Sequence, residues 1–184
     1  MFEPKLILSE TQLVDACKKG HQSAQRRLYE IYSARMFAVC LKYARTREAA
    51  RDYLQDGFVA VFSKIDTYTG SGSFEGWMRK IFVNVALMDL RKNDVLRDAK
   101  DVADLRADAP FVDDVLSRIA SRDVLRLVEQ MPIRYKVVFS LNVFEEMSHQ
   151  EIAEALGITE AASRTILRRG RFWLQEEIKK MNGE

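Results

Sequence analysis

Proline and glycine are scarce in this sequence, and their scarcity limits the folds that the chain can adopt. The 184 residues include only three prolines and eight glycines, the residues that most turns between short strands require. Apolar residues recur instead at helical spacing, as at Ala24, Leu28 and Ile31, and no alternating β pattern persists beyond a few residues. The sequence therefore predicts an all-α fold.

Four amphipathic helices are expected before residue 93. Ser9 and Gln12 have the spacing of a capping box, which predicts that the first helix begins there and runs to about Lys19. The loop TYTGSGS, residues 67–73, contains two glycines and interrupts the helical pattern. The remaining three helices are predicted over 21–45, 47–65 and 74–92.

Charge is distributed along the chain in three blocks. Residues 1–92 carry 15 basic and 10 acidic side chains, and residues 119–184 carry 10 of each. Between them, residues 93–118 carry four basic and seven acidic side chains and few apolar ones, and the three blocks sum to the net charge of +2. This pattern predicts two small helical domains, 1–92 and 119–184, joined by a flexible acidic linker.

Residues with metal-binding or nucleophilic chemistry are few and separated in the sequence. Cys17, Cys40, His21 and His149 have no second ligand nearby, so we expect no metal. We find no phosphate-binding glycine loop or nucleophile set, so we expect no enzyme, cofactor or small-molecule substrate. Two free thiols indicate a reducing compartment. Without an apolar run of about 20 residues or a signal peptide, the protein is expected to be cytoplasmic.

Residues 148–171 have the pattern of a helix-turn-helix. Ser148 and Glu151 form a capping box, Gly157 supplies a left-handed turn, and Thr159 caps the next helix. A short turn with glycine between two amphipathic helices is typical of DNA-binding hairpins, whose second helix enters the major groove. Two apolar stripes precede it, at 124–131 and 137–144.

The second helix of this hairpin is basic. The segment from Ala161 to Arg171 contains four arginines and no acidic residue. The arginine side chains repel one another, and this repulsion is offset when DNA phosphates neutralise their charge. A hairpin that only packs against its neighbours is the alternative interpretation. Helical phase turns Ser163, Leu167 and Leu174 inward. The expected contacts with DNA are then Ala162, Arg164, Thr165, Ile166, Arg168, Arg169 and Arg171, with Arg169 suited to a guanine edge and Ala162 or Ile166 to a thymine methyl.

Three motifs carry a resemblance to a known family. QMPIRYKVVFSLNVFEEMSHQEIAEALGIT resembles region 4 of bacterial sigma factors, especially the two-domain extracytoplasmic-function (ECF) group, with its Ser-x-x-Glu-Ile-Ala-x-x-Leu-Gly-Ile-Ser pattern. ARDYLQDGFVAVFSKIDTY and FEGWMRKIFVNVALMDLRK resemble the two region 2 helices of that family. The sequence departs from the family at Ile166, where Arg or Gln is commoner, at Ala161-Ala162 and at Asp56-Gly57.

The resemblance implies an alternative sigma factor that binds RNA polymerase core, recognises the minus-ten and minus-thirty-five promoter elements and promotes initiation. Region 2 would occupy 1–92 and region 4 would occupy 119–184. The β′ clamp helices would bind Asp52, Gln55 and Asp56, and the β flap would bind region 4. An anti-sigma factor, often membrane-anchored in this family, would control the protein.

The chemistry of residues 67–92 suits single-stranded DNA, which aromatic rings and nearby cations hold after bases leave the stack. By resemblance, the loop captures an extruded base of the minus-ten element. Ile81 and Val85 are interpreted as core, and Trp77 as either core or a base contact. A free-standing helix-turn-helix regulator is the alternative function. The expected minus-ten contacts are Tyr68, Ser71, Ser73, Phe74, Trp77, Arg79, Lys80, Asn84, Arg91 and Lys92.

Overall fold

A computed structural model describes residues 9–92 and 121–182 of the chain. These residues form eight α-helices and no β-strand, which confirms the all-α prediction. No helix within these ranges is both long enough and apolar enough to cross a membrane. The helices are α1 (Glu10–Lys18), α2 (Gln22–Leu41), α3 (Arg47–Lys64), α4 (Phe74–Lys92), α5 (Ser121–Gln130), α6 (Ile133–Val143), α7 (His149–Leu156) and α8 (Glu160–Asn182), and a 3-10 turn at Ile65–Thr67 follows α3.

The described residues fall into two compact units. The first contains the described residues up to Cys40 together with Thr46–Val85, and the second contains Leu41–Arg45 and the described residues from Ala86 onward. The predicted linker at 93–118 lies outside the described residues. The domain boundaries at 92 and 119 therefore stay predictions.

Local capping explains where the first helices begin and end. The Ser9 hydroxyl accepts from the Gln12 amide N–H at 3.2 Å and the Gln12 side chain accepts from the Ser9 N–H at 2.9 Å, which confirms the capping box of α1. Thr46 caps α3 with an extended backbone. Because a residue in that conformation cannot continue a helix, the chain must leave α2 before Thr46. The structure ends α2 earlier still, at Leu41, with turn and bend residues within 42–46, so the prediction that this helix runs to residue 45 was too long by four residues.

The core of the first unit is built around phenylalanine rings from α3 and α4. Phe58 and Phe82 meet edge to face, with ring centroids 5.3 Å apart. Gly57 allows this contact, because a Cβ atom added to it would lie 2.1 Å from the Phe82 ring. The glycine at which the sequence departs from the family pattern thus leaves the space that the Phe82 ring of α4 occupies against α3.

The core of the second unit lies between α6, α7 and α8. Val137, Leu141, Ile152 and Leu174 have no exposed surface. Ser163 of α8 is also fully buried among these apolar residues. A buried hydroxyl needs a hydrogen-bond partner, and Ser163 has one on α7.

Candidate nucleic-acid interface

The helix-turn-helix predicted from the sequence is present in α7 and α8. The Ser148 N–H donates to the Glu151 carboxylate at 2.8 Å and the Glu151 N–H donates to the Ser148 hydroxyl at 3.2 Å, so the capping box is confirmed. Gly157 has a φ of 66°, the left-handed conformation that was predicted. The Thr159 hydroxyl accepts from the Ala162 N–H at 3.1 Å and caps α8.

The inward face of α8 is wider than predicted. Ser163, Leu167 and Leu174 are buried as expected, but Ile166 is also buried and only 3% exposed. The prediction that Ile166 faces DNA is therefore wrong. Positions three and four residues along a helix belong to one apolar stripe, and this stripe includes both Ile166 and Leu167 after Ser163.

The outward face of α8 keeps the remaining predicted residues. Thr165 and Arg168 are exposed, and Ala162, Arg169 and Arg171 are half-buried. Ala162, Thr165 and Arg169 line a cleft of about 270 Å³, which Arg134 at the beginning of α6 also borders. Arg134 gave no signal in the sequence as a member of this face, because helix α6 brings it there from outside the hairpin.

Arg164 has an acidic neighbour that the predicted basic stretch did not include. Its guanidinium forms an exposed ion pair with Glu160, one turn earlier and immediately before the counted residues. Exposed ion pairs of this kind contribute about 0–1 kcal/mol, so a DNA phosphate can replace the glutamate at little cost. Glu160 nevertheless neutralises part of the positive charge that was counted over residues 161–171.

Three aromatic rings follow one another at the predicted minus-ten site. The Tyr68 ring lies 5.0 Å from Phe74 and 5.5 Å from Trp77, and Phe74 stacks on Trp77 at 5.5 Å. Phe74 has no exposed surface. The prediction that Phe74 contacts DNA is therefore wrong, because a base cannot stack on a fully buried ring. Tyr68 and Trp77 are half-buried and present part of their surface to solvent.

The loop between the 3-10 turn and α4 is held by side chains at both ends. The Tyr68 hydroxyl donates to the Gly72 carbonyl at 2.8 Å, and the Lys18 ammonium donates to the Tyr68 carbonyl at 2.7 Å. Gly70 and Gly72 have φ values of 83° and 77°, which side chains disfavour. The loop therefore has a defined shape, and that shape depends on both glycines.

A cavity of about 310 Å³ lies between this loop and α1. Its loop side includes Tyr68, which is a predicted minus-ten contact, and Thr69, Gly70 and Gly72, which lie in the same predicted base-capturing loop. Its α1 side was not predicted, because a contact between residues about 50 positions apart leaves no local pattern in the sequence. The α1 residues that line the cavity are Glu10, Thr11, Val14, Asp15 and Lys18.

The polar residues of the predicted minus-ten site are mostly exposed. Ser71, Ser73, Lys80, Asn84 and Lys92 are exposed, and Arg79 is half-buried. The exposed Arg91 lies in the last turn of α4 and donates a hydrogen bond to the Glu154 carbonyl at 3.3 Å. Ile81 is buried as predicted, and Val85 is only partly so. Spacings of four and seven residues place Lys80, Asn84 and Arg91 on one face of α4.

Met88 lies on that same face of α4 and was not among the predicted minus-ten contacts. Its side chain is 70% exposed. An exposed methionine between Asn84 and Arg91 is an apolar group on an otherwise polar face, and apolar side chains of this kind insert between bases in many DNA complexes. The spacing of four residues from Asn84 was the signal that could have identified it.

The predicted polymerase-binding residues lie on one exposed side of α3. Asp52, Gln55 and Asp56 are all exposed, and the two carboxylates are one helical turn apart. Gln55 also borders an apolar groove of about 720 Å³ between α2 and α3, beside which Val59 is 64% exposed. The groove is lined by Tyr29, Phe37, Arg47, Arg51, Leu54, Gln55, Phe58, Val59 and Phe62.

The two thiols of the chain are buried in the first unit. Burial raises the pKa of the Cys17 thiol to about 11 and that of the Cys40 thiol to about 12. Neither thiol is therefore ionised near neutral pH, which is the form that reacts or binds metal. The described part of the chain contains no group of three His, Cys, Asp or Glu side chains that could hold a metal ion.

Two family models match the chain, one over most of each predicted domain. A model of sigma-70 region 2 matches residues 28–95, and a model of sigma-70 region 4 matches residues 121–174. These are 68 and 54 residues, and together they account for 122 of the 184. The second match contains the whole helix-turn-helix, and the first contains the loop and α4.

Individual proteins are similar to the chain over most of its length. The ECF RNA polymerase sigma factor SigW of Bacillus subtilis is 26% identical over 173 residues, which cover 88% of this chain and 92% of SigW. The ECF RNA polymerase sigma-E factor of Haemophilus influenzae is 23% identical, with coverages of 93% and 96%.

A solved structure of CnrH in complex with the cytosolic domain of CnrY aligns with 91% of this chain and 96% of CnrH, at 19% identity and a TM-score of 0.47. The region 2 and region 4 matches occur in the order that the two motif sets have in the sequence. The chain belongs to the sigma-70 family of RNA polymerase sigma factors, within its ECF group.

Proposed function

We propose that this ECF sigma factor binds RNA polymerase core, recognises both promoter elements and helps to open the minus-ten element. It acts as a specificity subunit without catalysis of its own. The observation that carries this proposal is the presence, in one chain, of a helix-turn-helix with exposed arginines and of a glycine loop beside partly exposed aromatic rings. A free-standing repressor needs the first of these surfaces but has no use for the second.

The minus-thirty-five element is recognised by the outward face of α8. Arg169 and Thr165 line the cleft beside Arg134, where a base edge in the major groove can enter. Arg168 is exposed and pairs with phosphate, which positions the helix without reading sequence. Arg164 exchanges its ion pair with Glu160 for a phosphate on binding. Because Ile166 is buried, we assign the reading of sequence to Thr165 and Arg169 together with Ala162, which lines the same cleft.

The minus-ten element is held by the loop and by α4. The cavity between α1 and the loop receives an extruded base, and its volume of about 310 Å³ is ample for one. Tyr68 and Trp77 offer ring surface to the neighbouring bases. Lys80 and Asn84 follow the strand along α4, and Arg91 joins them by exchanging its hydrogen bond with the Glu154 carbonyl for a phosphate. Met88 packs against a base on the same face.

The polymerase core is bound through α3. Asp52 and Asp56 suit arginines on a partner helix, because carboxylates accept charge-assisted hydrogen bonds from guanidinium groups. The groove beside Gln55 adds an apolar surface next to these charges. We place the β′ clamp helices at this surface and the β flap on region 4, as the family resemblance implies.

Control by an anti-sigma factor, membrane-anchored as is common in the family, is part of the same proposal. An inhibitor that covers the polymerase-binding side of α3 or the outward face of α8 would prevent initiation. Because RNA polymerase is the proposed partner, we expect the protein to act in the cytoplasm. No small-molecule substrate or cofactor enters this function.

Transcription with purified core polymerase tests the proposal. Core supplied with this protein is expected to start RNA at defined sites on genomic DNA fragments, and core alone is not. Asp52→Arg with Asp56→Arg should abolish association with core by reversing the charge of the α3 surface, while Asp15→Arg, at an exposed position of α1, should leave association intact. If the protein neither binds core nor directs initiation, the free-standing regulator is the correct function.

A further inference from the structure

The α1 wall of the cavity beside the loop carries negative charge that the proposed function leaves unexplained. Its charged side chains are two carboxylates, Glu10 and Asp15, and one ammonium group, Lys18. A surface that receives a DNA strand is expected to be positive, because carboxylates repel the phosphates of the strand. The two carboxylates therefore oppose binding unless they accept hydrogen bonds from the strand.

The carboxylate of Glu10 is held in place by a buried tyrosine of α2. The Tyr32 hydroxyl donates to Glu10 Oε2 at 2.5 Å. The direction of this bond is defined, because an ionised carboxylate can only accept. Burial, and next the hydrogen bond to Glu10, raise the pKa of the Tyr32 hydroxyl above its ordinary value, so this group keeps its proton. The Tyr32 ring is only 5% exposed and meets the Phe74 ring edge to face, which fixes the tyrosine in turn.

Glu10 keeps acceptor capacity for a ligand, whereas much of the loop wall is already occupied. A carboxylate can accept about four hydrogen bonds, of which Tyr32 uses one. On the loop wall, the Gly72 carbonyl accepts from the Tyr68 hydroxyl at 2.8 Å, and the Tyr68 carbonyl accepts from the Lys18 ammonium at 2.7 Å. The side chains that can form new hydrogen bonds with a base therefore lie mainly on α1.

Carboxylates distinguish bases by their amino groups. Cytosine, adenine and guanine each carry an exocyclic amino group, which donates to an acceptor, and an extruded base is read along the edge that carries this group. Thymine instead has a carbonyl oxygen on each side of its single ring N–H, and these oxygens repel a carboxylate. The remaining protons of the Lys18 ammonium do not favour thymine, because all four bases have acceptor atoms.

We propose that Glu10 is a specificity-determining residue for the minus-ten element. Its carboxylate accepts a hydrogen bond from the amino group of the extruded base, so the cavity admits cytosine, adenine or guanine and discriminates against thymine. A site that pairs with an N–H group rejects an analogue without it, because its own polar group is then left unpaired. This inference rests on the proposed function of the loop and α4, and it names the class of base that the same cavity takes.

Binding of single strands by polymerase holoenzyme that contains the full chain tests the inference. The non-template strand of a minus-ten element, selected by the wild-type holoenzyme from random DNA, is synthesised with each of the four bases at every position. A single strand removes the cost of unpairing a base, which differs between bases. At one position, the wild type should bind thymine about tenfold more weakly than the preferred amino base.

Glu10→Gln isolates the charge of this side chain. Glutamine has nearly the same shape, its carbonyl can still accept from Tyr32, and its amide can donate to a thymine oxygen. We expect the discrimination against thymine to fall to about twofold at that position and to stay unchanged at the others. Asp66→Asn is the matched control, because it removes an exposed carboxylate from the 3-10 turn before the loop, outside the cavity lining, and should keep the wild-type preference.

Modified bases make the test independent of any substitution in the protein. The preferred base at that position is replaced by the analogue that lacks only the amino group, which is pyrimidin-2-one for cytosine, purine for adenine and hypoxanthine for guanine. The wild type should lose about tenfold in affinity for the modified strand, and Glu10→Gln should lose about twofold. Circular dichroism shows whether each variant is folded.

The inference is wrong if the wild type disfavours thymine at no position, if folded Glu10→Gln keeps every wild-type preference, or if removal of the amino group leaves wild-type affinity unchanged. These outcomes leave the proposed function standing, provided that replacement of Gly70–Ser73 abolishes binding of the single strand. Strand binding that survives this replacement would instead remove the proposed function of the loop.

Discussion

Arg169 is the residue of α8 from which we expect base recognition. It borders the cleft beside Arg134, and an arginine in the major groove pairs with the O6 and N7 atoms of guanine. Arg169→Ala should relax the preference at one upstream position by about 1–3 kcal/mol, measured by competition with duplexes substituted at each position.

Arg168→Ala is the matched control for that substitution. The Arg168 side chain is exposed and proposed to hold phosphate, so its loss should weaken all duplexes alike and reduce the salt dependence of binding. The assignment of Arg169 to base recognition is wrong if the Arg169→Ala variant shows the same base preference as the wild type at every position.

The buried thiols supply a second prediction at the scale of single residues. Burial raises the pKa of Cys17 to about 11 and of Cys40 to about 12, so almost no thiolate exists at pH 8. Native protein should react with a thiol reagent only at the rate at which it unfolds. Protein in denaturant should label at both cysteines, as mass spectrometry can count. Rapid labelling of either cysteine without unfolding would show that it is accessible.

Sequence reasoning at this scale succeeded where the signal is local and failed where it depends on packing. The capping pairs of Ser9 and Ser148 were predicted because their partners are three residues away. Ile166 was placed on the wrong face because helical phase gives the direction of the stripe but not its width. Phe74 was placed at the surface because an aromatic residue beside a loop can serve either the core or a base.

Gly57 shows, at the scale of helices, that intrinsic propensity and packing can act in opposite directions. Alanine in place of glycine stabilises an isolated helix by about 1 kcal/mol. Here the added Cβ would overlap the Phe82 ring, 2.1 Å away, so this buried ring or the helix that carries it would have to shift. We expect Gly57→Ala to destabilise the protein by about 1–3 kcal/mol in urea denaturation, as overpacking does.

A double-mutant cycle isolates the cause of that loss. Phe82→Leu removes the ring and costs stability by itself, but it should make Gly57→Ala much less harmful in its presence. Additive effects of the two substitutions would contradict the packing explanation. The Gly57→Ala and Phe82→Leu variants should also be compared for their binding to RNA polymerase core, since Gly57 lies next to Asp56.

The helices could be predicted from the sequence to a greater extent than the contacts between them. Each predicted helix with described residues is present, and the largest error in a boundary is the end of α2, where Thr46 caps the next helix. The cavity wall formed by α1 was missed, because the contact of Lys18 with Tyr68 joins residues that are 50 positions apart. The hydrogen bond of His149 with Ser163 was missed for a similar reason, although both residues lie within the hairpin.

At the scale of the whole molecule, the central claim is that one chain binds a promoter through two surfaces, one for duplex DNA and one for a separated strand. In our proposal, the outward face of α8 binds duplex DNA upstream, and the loop with α4 holds a separated strand. These tasks are physically distinct, because duplex recognition uses base edges within the grooves whereas strand separation requires stacking surfaces for bases that have left the helix. Damage to one surface should therefore leave the task of the other intact.

The measurement that tests this claim most directly is a footprint of holoenzyme on its promoter, in which Gly70–Ser73 is replaced by four residues without glycine. The replacement removes both left-handed glycines and the loop shape that Tyr68 closes. Upstream protection from nuclease should persist, while permanganate reactivity of thymines in the minus-ten element should disappear. Normal permanganate reactivity in the folded variant, or loss of upstream protection together with the bubble, would contradict the division of tasks.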